Sequence, residues 1–380
     1  MLFLVLLFAL SGLLVTFTFT FVVMPKVIHF MRSRNIVGID VHKLEKPTIA
    51  EMGGVGLLIG VTAGCIFLFW GFGFLISGVF DYRILVFLLV VLLAGAVGVY
   101  DDLKTLGPKI KPILTAAASL PILLSGWLIV ILNIPLAPSF WPYPNLPFVG
   151  PTQLTIVYQL IIPFAVAVPA NAVNMLDVFN GVMPITTILA FVAMFIVSLI
   201  LLAFGIPGAE LGLLISCVML GALLAYFYFN RYPARVFAGD TGSLLVGAAI
   251  GALAVIGRLE IVAIVALLPA IMNAFYSLVS VRGLLERRQM KGRPTIFQED
   301  GTLAASLDRG APMTLTRLVL ARGPLTEQKI TLSLSILSLT SSILAVITIL
   351  LIPFGALGFI VTLPFSFLIL ILVTFCVLAL

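Results

Sequence analysis

Charge is what this 380-residue chain has least of: Asp, Glu, Lys and Arg together make up 9% of it, and histidine occurs twice. A soluble fold carries roughly 25% charged residues, so too little polar surface is available here to face water on all sides. Cysteine is as scarce. Its three copies, Cys65, Cys217 and Cys376, all fall in uncharged stretches, which argues against a disulfide framework and against a thiolate metal cluster. No basic segment precedes the first apolar run, so Leu2–Met24 is expected to stay as a signal anchor and not to be cleaved.

What the chain has is apolar length. Hydrophobic residues are 62% of it and the mean hydropathy is +1.27. Uncharged runs longer than about 18 residues recur from end to end, each long enough to cross a bilayer. The expected fold is therefore an all-α polytopic membrane protein forming one integral domain, 1–380. Eleven spans can be read, near 2–24, 52–80, 84–100, 112–132, 153–173, 183–204, 211–229, 242–257 and 261–281, with the run 330–380 split into two at Pro353–Gly358. Pro25 and Lys26 are expected to end the first. A family of prolines from Pro135 to Pro151 separates the fourth from the fifth, leaving 133–152, with Trp141 and Tyr143, as an uncharged interfacial cap.

Alternating the loops sorts the charges. The segments 25–52, 101–111, 174–182, 230–241 and 282–329 fall on one side and hold 19 of the 21 Lys and Arg residues, against Arg83 and Arg258 on the other. The positive-inside rule makes those five segments cytoplasmic and puts the N-terminus outside. The same side holds 12 of the 15 acidic residues, so the polar chemistry belongs at the cytoplasmic face. The net charge of +6 then reports topology, and nucleic acid is not an expected partner.

Five segments there invite chemistry. Asp101-Asp102 closes an apolar run and is followed by Lys104, Lys109 and Lys111. A solvated helix end accounts for such a pair, but two carboxylates at a helix C-terminus oppose the macrodipole and call for a metal or a base such as Lys111. Asn171, Asn174, Asp177 and Asn180 recur every three residues, which places them on roughly one helical face. They serve interhelical hydrogen bonding or a site. Asp240, between Gly239 and Thr241-Gly242, reads as an N-cap or as a ligand at a phosphate-binding helix start. Phe237, beside Arg231 and Arg235, offers a base a stacking surface. Finally, 40–54 carries Asp40, Lys43 and Glu51, and the longest hydrophilic stretch, 282–329, carries Arg287-Arg288 and Lys291-Gly292-Arg293. Clustered bases also suit topology and anionic membrane lipids. Oxygen donors without imidazole or thiolate favour Mg²⁺, or Mn²⁺, over zinc. The chemistry best matched is transfer of a phosphorylated group at a membrane surface.

In these segments the chain resembles the polyprenyl-phosphate N-acetylhexosamine-1-phosphate transferases. The likeness covers 40–54, 98–121, 171–181, 226–242 and 293–329. It is strongest in Tyr226–Gly242, and it leans to the archaeal and eukaryotic branch that uses UDP-N-acetylglucosamine and dolichyl phosphate. The resemblance implies that Asp240 and Asn174 hold Mg²⁺ against the sugar-nucleotide pyrophosphate. It implies that Asp101 and Asp102 place the metal and keep the lipid phosphate as an oxyanion, with Lys111 near the phosphates. Phe237 would stack on uridine and Asn180 would hydrogen-bond uracil. Glu51, Lys291 and Arg293 would recognise the N-acetylated sugar and the pyrophosphate, which makes 282–329 a substrate-recognition loop. The chain departs from the family at Thr105, where a third acid is common, and in having no histidine in 282–329, where peptidoglycan-precursor transferases carry a cluster. Asp177 is more like the bacterial motif. The family usually has ten spans.

The reaction so implied is a one-step attack of the lipid phosphate on the β-phosphorus, releasing UMP and opening lipid-linked glycan assembly for N-glycosylation. A phosphate monoester is already largely ionised at neutral pH, its second pKa being about 6, so no strongly perturbed base is needed. An aspartyl-phosphate intermediate ranks second. A different UDP-N-acetylhexosamine, for cell-wall or surface polysaccharide, is the alternative donor. A transporter of anionic substrates is the alternative class, but its site belongs near the bilayer midplane, and these charges sit at span ends. The location implied is the plasma membrane of an archaeon, or the endoplasmic reticulum membrane of a eukaryote. Uniformly apolar span faces leave the oligomeric state open, a homodimer included.

Overall fold

A computed structural model of the chain describes residues 2–72, 81–125, 151–206, 208–281, 283 and 292–351, the side chains of 151–158 and 351 excepted. Eight helices in it are long and apolar enough to cross a membrane, which makes the chain a polytopic helical membrane protein. They are α1 (Leu2–Ser33), α2 (Gly54–Phe72), α3 (Tyr82–Leu103), α5 (Pro151–Leu176), α6 (Val182–Ala203), α7 (Ala209–Asn230), α8 (Gly239–Gly257) and α12 (Glu327–Leu351). Two short helices, α9 (Glu260–Ala266) and α10 (Leu268–Ser280), are bent by 63° at their junction and make a ninth span if counted as one. The helix begun by α4 (Ile110–Ala117) is described as far as Ser125. The expected remainder of that span, the cap around Trp141 and Tyr143, the turn at Pro353–Gly358, the eleventh span and Cys376 lie outside the described residues.

Expected and observed spans agree closely at α2, α3, α5, α6, α7 and α8 within the described residues; the run 261–281, expected as one span, is broken at the bend between α9 and α10, and α1 departs at its end. Pro25 does not end it; the helix runs eight residues further, to Ser33. A proline inside a helix loses one hydrogen bond and crowds a carbonyl. Here Met24, Val27 and Met31 are buried on both sides of it, against α2 and α7, and burying such side chains is worth about 1.5–3 kcal/mol each. Packing outweighs the local cost.

Helix α8 lies at the centre, between α3 and α5, and the side chains of its apolar window are almost all buried. Its sequence is Gly- and Ala-rich, as close helix packing in a membrane requires. A Cβ at Gly98 on α3 would come within 2.4 Å of the Thr241 backbone, so glycine there is what lets the end of α3 rest on the start of α8. That contact sets the position of Asp101 and Asp102.

The connecting segments are also ordered. Strands β1 (Val37–Ile39) and β2 (Thr48–Ala50) pair antiparallel, Val37 opposite Ala50. Past Ala50 the chain zips onto the segment before α8. The amide of Phe237 donates to Ala50 O, that of Gly53 to Phe237 O, and that of Gly54 to Ala238 O, at 2.8–3.0 Å. A second hairpin, β3 (Thr295–Phe297) and β4 (Leu303–Ala305), and a short helix α11 (Leu315–Val319) pack over the ends of α5, α10 and α12. Asn273 fastens them, accepting from Leu315 N and donating to Met175 O.

Candidate active site

At the junction of α3, α4, α5 and α8 a lysine stands between two carboxylates. Lys111 Nζ is 2.6 Å from Asp101 Oδ2 and 2.8 Å from Asp240 Oδ2. Burial alone would lower the pKa of that ammonium, but Asp240 and Asp101 outweigh it and hold it above its ordinary value. Asp101 is nearly inaccessible and accepts a further bond from Leu106 N at 2.5 Å. Asp240 keeps 27% of its side chain open to solvent. Asn174, on the last turn of α5, donates to Asp240 Oδ1 and, at 2.8 Å, to Ser243 Oγ.

The neighbouring acid has a different task. Asp102 Oδ1 accepts from Asp240 N at 2.7 Å, and Oδ2 accepts from Thr241 N at 2.9 Å and Thr241 Oγ1 at 2.6 Å. Asp102 thus caps α8 from a distant helix, satisfying amides that would otherwise be unpaired. Gly239 makes room for it: its φ is +67°, and a Cβ there would meet Asp102 Oδ2 at 2.5 Å. Asp240, which alone read as a candidate cap, is relieved of that role and turns its carboxylate to Lys111. The two adjacent acids at a helix C-terminus are accommodated separately, one by a helix N-terminus and one by an ammonium.

Glu51 joins from the turn before α2. Burial, then the charges of Asp102 and Asp240, raise its carboxyl above the usual carboxylate range, so it belongs to the same electrostatic unit. Asp177 is pushed up to about 7, by burial first and by Asp240 second. Phe237 is part-exposed beside Glu51's turn. The arginines expected to flank it do not: Arg231 and Arg235 lie over the Tyr228 ring at 5.1 and 4.5 Å, and Arg235 also over Phe229 at 4.8 Å. Arg293 is exposed at the base of the β3–β4 hairpin. Lys291, like Arg287 and Arg288, lies outside the described residues.

The polar stripe from Asn171 to Asn180 divides. Helix α5 stops at Leu176, so only Asn171 and Asn174 share a helical face. Asn171 donates to Thr115 Oγ1 at 2.9 Å. Asp177 and Asn180 follow in a turn closed by Gly181 at φ +82°, where glycine is the residue that takes a left-handed backbone without strain. Asn180 is buried in a second cluster that the sequence did not reveal. Lys43 Nζ lies 2.8 Å from Asp40 Oδ2 and 2.7 Å from Glu327 Oε2. Asp40 accepts from Asn180 Nδ2 at 3.2 Å, and Glu327 Oε1 accepts from Asn180 N at 2.9 Å. Only the three-residue spacing of Asp40 and Lys43 hinted at it; Glu327 is far away in sequence.

Among the described residues no three His, Cys, Asp or Glu side chains converge to hold a metal ion. The oxygen donors of Asp240 and Asn174 fit a hard cation in another way. Mg²⁺ is ordinarily held by one or two carboxylates together with substrate phosphates and waters. Asp240 is the open carboxylate of the group.

Residues 84–258 match the family model described as Glycosyl transferase family 4. A protein of Saccharolobus solfataricus provisionally named UDP-N-acetylglucosamine--dolichyl-phosphate N-acetylglucosaminephosphotransferase is 31% identical over 252 residues, 64% of this chain and 70% of that protein. A provisionally named glycosyltransferase of Methanocaldococcus jannaschii is 29% identical over 310 residues, 82% of this chain and 87% of its own. The phospho-N-acetylmuramoyl-pentapeptide-transferase of Streptococcus mutans is 33% identical over 255 residues, 65% and 72% of the two chains.

Proposed function

The chain belongs to glycosyl transferase family 4 as a polyprenyl-phosphate sugar-phosphate transferase, and from that premise we propose that it moves N-acetylglucosamine 1-phosphate from UDP-N-acetylglucosamine to a dolichyl-type phosphate. The products are the lipid diphosphate sugar and UMP, as the first step of lipid-linked glycan assembly for N-glycosylation. The observation that carries this reading is a charge imbalance. Asp101 and Asp240 flank the single ammonium of Lys111, and Asp102 lies against the start of α8 beside them, a net charge of −2 with all ionised. Such a site repels a pyrophosphate unless a divalent cation joins it. Two unit charges about 4 Å apart interact by about 4 kcal/mol at an effective dielectric near 20, so Mg²⁺ or Mn²⁺ on Asp240 and Asn174 would turn repulsion into neutrality. The ion supplies charge neutralisation and alignment of the phosphates.

The chain's own residues supply the rest. Lys111 is placed to exchange a carboxylate partner for an incoming phosphate oxygen without leaving its position. Asp102 holds the start of α8, and with it Asp240, rigidly against α3. Asp101 keeps Lys111 aligned and offers an acceptor for any proton left on the lipid phosphate. A phosphate largely ionised at neutral pH needs no stronger base, which favours direct attack over an aspartyl-phosphate route. Phe237 and Asn180 would take the uridine, and Glu51, Lys291 and Arg293 the sugar and pyrophosphate. The charge sorting supports a cytoplasmic active site with the N-terminus outside. Both archaeal relatives support the plasma membrane of an archaeon as the location.

A second reading keeps the reaction and changes the donor, and the similarity to the streptococcal pentapeptide transferase favours it. The lack of histidine in 282–329 weighs against it. Purified protein offered UDP-N-acetylglucosamine, UDP-N-acetylgalactosamine or UDP-N-acetylmuramoyl-pentapeptide, with a short polyprenyl phosphate and Mg²⁺, is expected to release UMP from the first. Release from another donor alone would overturn the donor and keep the class; release from none would overturn both.

A further inference from the structure

Asn273 caps two helices at once. It lies buried on α10. Its Nδ2 donates to Met175 O at 3.0 Å, and its Oδ1 accepts from Leu315 N at 3.0 Å. Met175 O is among the carbonyls that the end of α5 leaves without a helical partner, and Leu315 N is among the amides so left at the start of α11. The neighbouring carbonyls of α5 are met within its own turn: Val173 O and Asn174 O accept from Asp177 N, and Leu176 O accepts from Val178 N. Met175 O is reached from another helix.

The two ends ask for opposite groups. A helix C-terminus needs a donor and an N-terminus an acceptor, and a side-chain amide carries both. A carboxylate at this position would serve only α11, and an ammonium only α5. Ala172, Leu176, Ala270, Leu303 and Leu315 belong to one apolar cluster around it, so a bond lost here is not made good by bulk water.

Each cap leads to a different part of the proposed machinery. Asn174, next to Met175, donates to Asp240 Oδ1 and Ser243 Oγ. Helix α11 belongs to the cytoplasmic segment 292–326, which α10 grips at a second point, where Met313 N donates to Ser280 Oγ at 2.9 Å.

We infer that Asn273 is a positioning residue: it ties the end of α5 to that cytoplasmic segment, and the tie sets Asn174 against Asp240. The inference rests on the reading of Asn174 and Asp240 as the residues that hold the cation, and it names what keeps one of them in place.

The test is the Mg²⁺ concentration that gives half-maximal UMP release by the full-length protein in detergent. Mn²⁺ binding in the presence of UMP, followed by electron paramagnetic resonance, is the readout independent of turnover. Asn273→Asp keeps the bond to Leu315 N and sets an oxygen against Met175 O. Partners that orient a metal ligand are worth about 10- to 100-fold in affinity. A rise of about tenfold is therefore expected in both cation requirements, with the KM for UDP-N-acetylglucosamine at saturating Mg²⁺ little changed. A merely structural defect lowers the folded fraction and the maximal rate and leaves the half-saturating concentration where it was. Ser280→Ala, which frees the same segment from α10 without touching α5, is expected to leave it there too. Where Asn273→Asp does not fold, Asn273→Ala, which removes both bonds, is read in the same way. An unchanged half-saturation in a folded Asn273 variant, or an equal shift in Ser280→Ala, overturns the inference and leaves the functional reading intact. Wild-type turnover that needs no divalent cation overturns both.

Discussion

The same device occurs twice in this molecule, a lysine between two carboxylates, and the two copies are put to different uses. Around Lys43, the partners Asp40 and Glu327 are 4% and 5% exposed; Asp40 Oδ2 is shared with the Asn180 side chain, its Oδ1 accepts from the His42 amide, and Glu327 Oε1 accepts from the Asn180 amide. Around Lys111, Asp101 is as buried, but Asp240 is 27% exposed and its other oxygen faces Asn174, a side chain that can rearrange. A closed triad has nothing left to offer a ligand. An open one carries surplus negative charge at the surface and can exchange partners. Residue types alone do not separate a catalytic cluster from a structural one; the occupancy of the remaining lone pairs does.

The sharpest way to break that contrast is to remove each lysine. Lys111→Ala is expected to lower kcat/KM for UMP release by about 10²–10³-fold, the usual loss when one preorganised charge-stabilising donor goes, with a smaller fall in melting temperature than at Lys43, because Asp240 still reaches water and only Asp101 is left buried without its ammonium. Lys43→Met is expected to do the reverse. Breaking a buried ion pair by taking one partner costs about 3–5 kcal/mol, visible as a fall of several degrees in thermal unfolding in detergent, with kcat of the folded fraction little changed. Equal effects on activity and stability in both variants would erase the distinction.

A smaller effect concerns Asp102, which stands beside a catalytic candidate and behaves as a cap. Asp102→Asn keeps one acceptor oxygen and loses the charge at the start of α8, so a stability loss of about 1 kcal/mol is expected, together with a larger drop in activity than in stability because Asp240 is displaced. A variant that melts as wild type and turns over at the full rate would show that the cap does not position the site.

A further effect is one of pH. The Asp177 carboxyl sits at about 7 in the fold and at roughly 4 in an unfolded chain. Between those values the folded state holds a proton that the unfolded state has lost. Stability therefore declines as pH rises from about 4 to about 7 and is level above it. Asp177→Asn is expected to remove that slope, read as melting temperature against pH. A slope that persists would assign it to other groups.

Most of the framework is legible in the sequence, because span length and charge asymmetry are properties of single segments. The same is true of Asp101, Lys111 and Asp240, whose types and order suggest phosphate chemistry before their distances are known. What was not legible depends on contacts between distant segments. Pro25 looks like a helix end until the buried neighbours of Met24 and Val27 are seen. Asp102 looks like its neighbour Asp101 until the N-terminus of α8 is found against it. The three-residue repeat of Asn171, Asn174, Asp177 and Asn180 predicted one face, but α5 ends at Leu176 and the turn that follows, closed by Gly181, takes Asn180 to Asp40.

The account stands most directly on the charge of the open triad. Turnover of UDP-N-acetylglucosamine with a short polyprenyl phosphate, followed as UMP release while Mg²⁺ is titrated into chelated enzyme, compares wild type with Asp240→Asn. Wild type is expected to be silent without the ion and to saturate with it, and Asp240→Asn to lose at least about 10²-fold at every concentration while melting as wild type does. Full turnover after chelation, or in Asp240→Asn, would contradict the account.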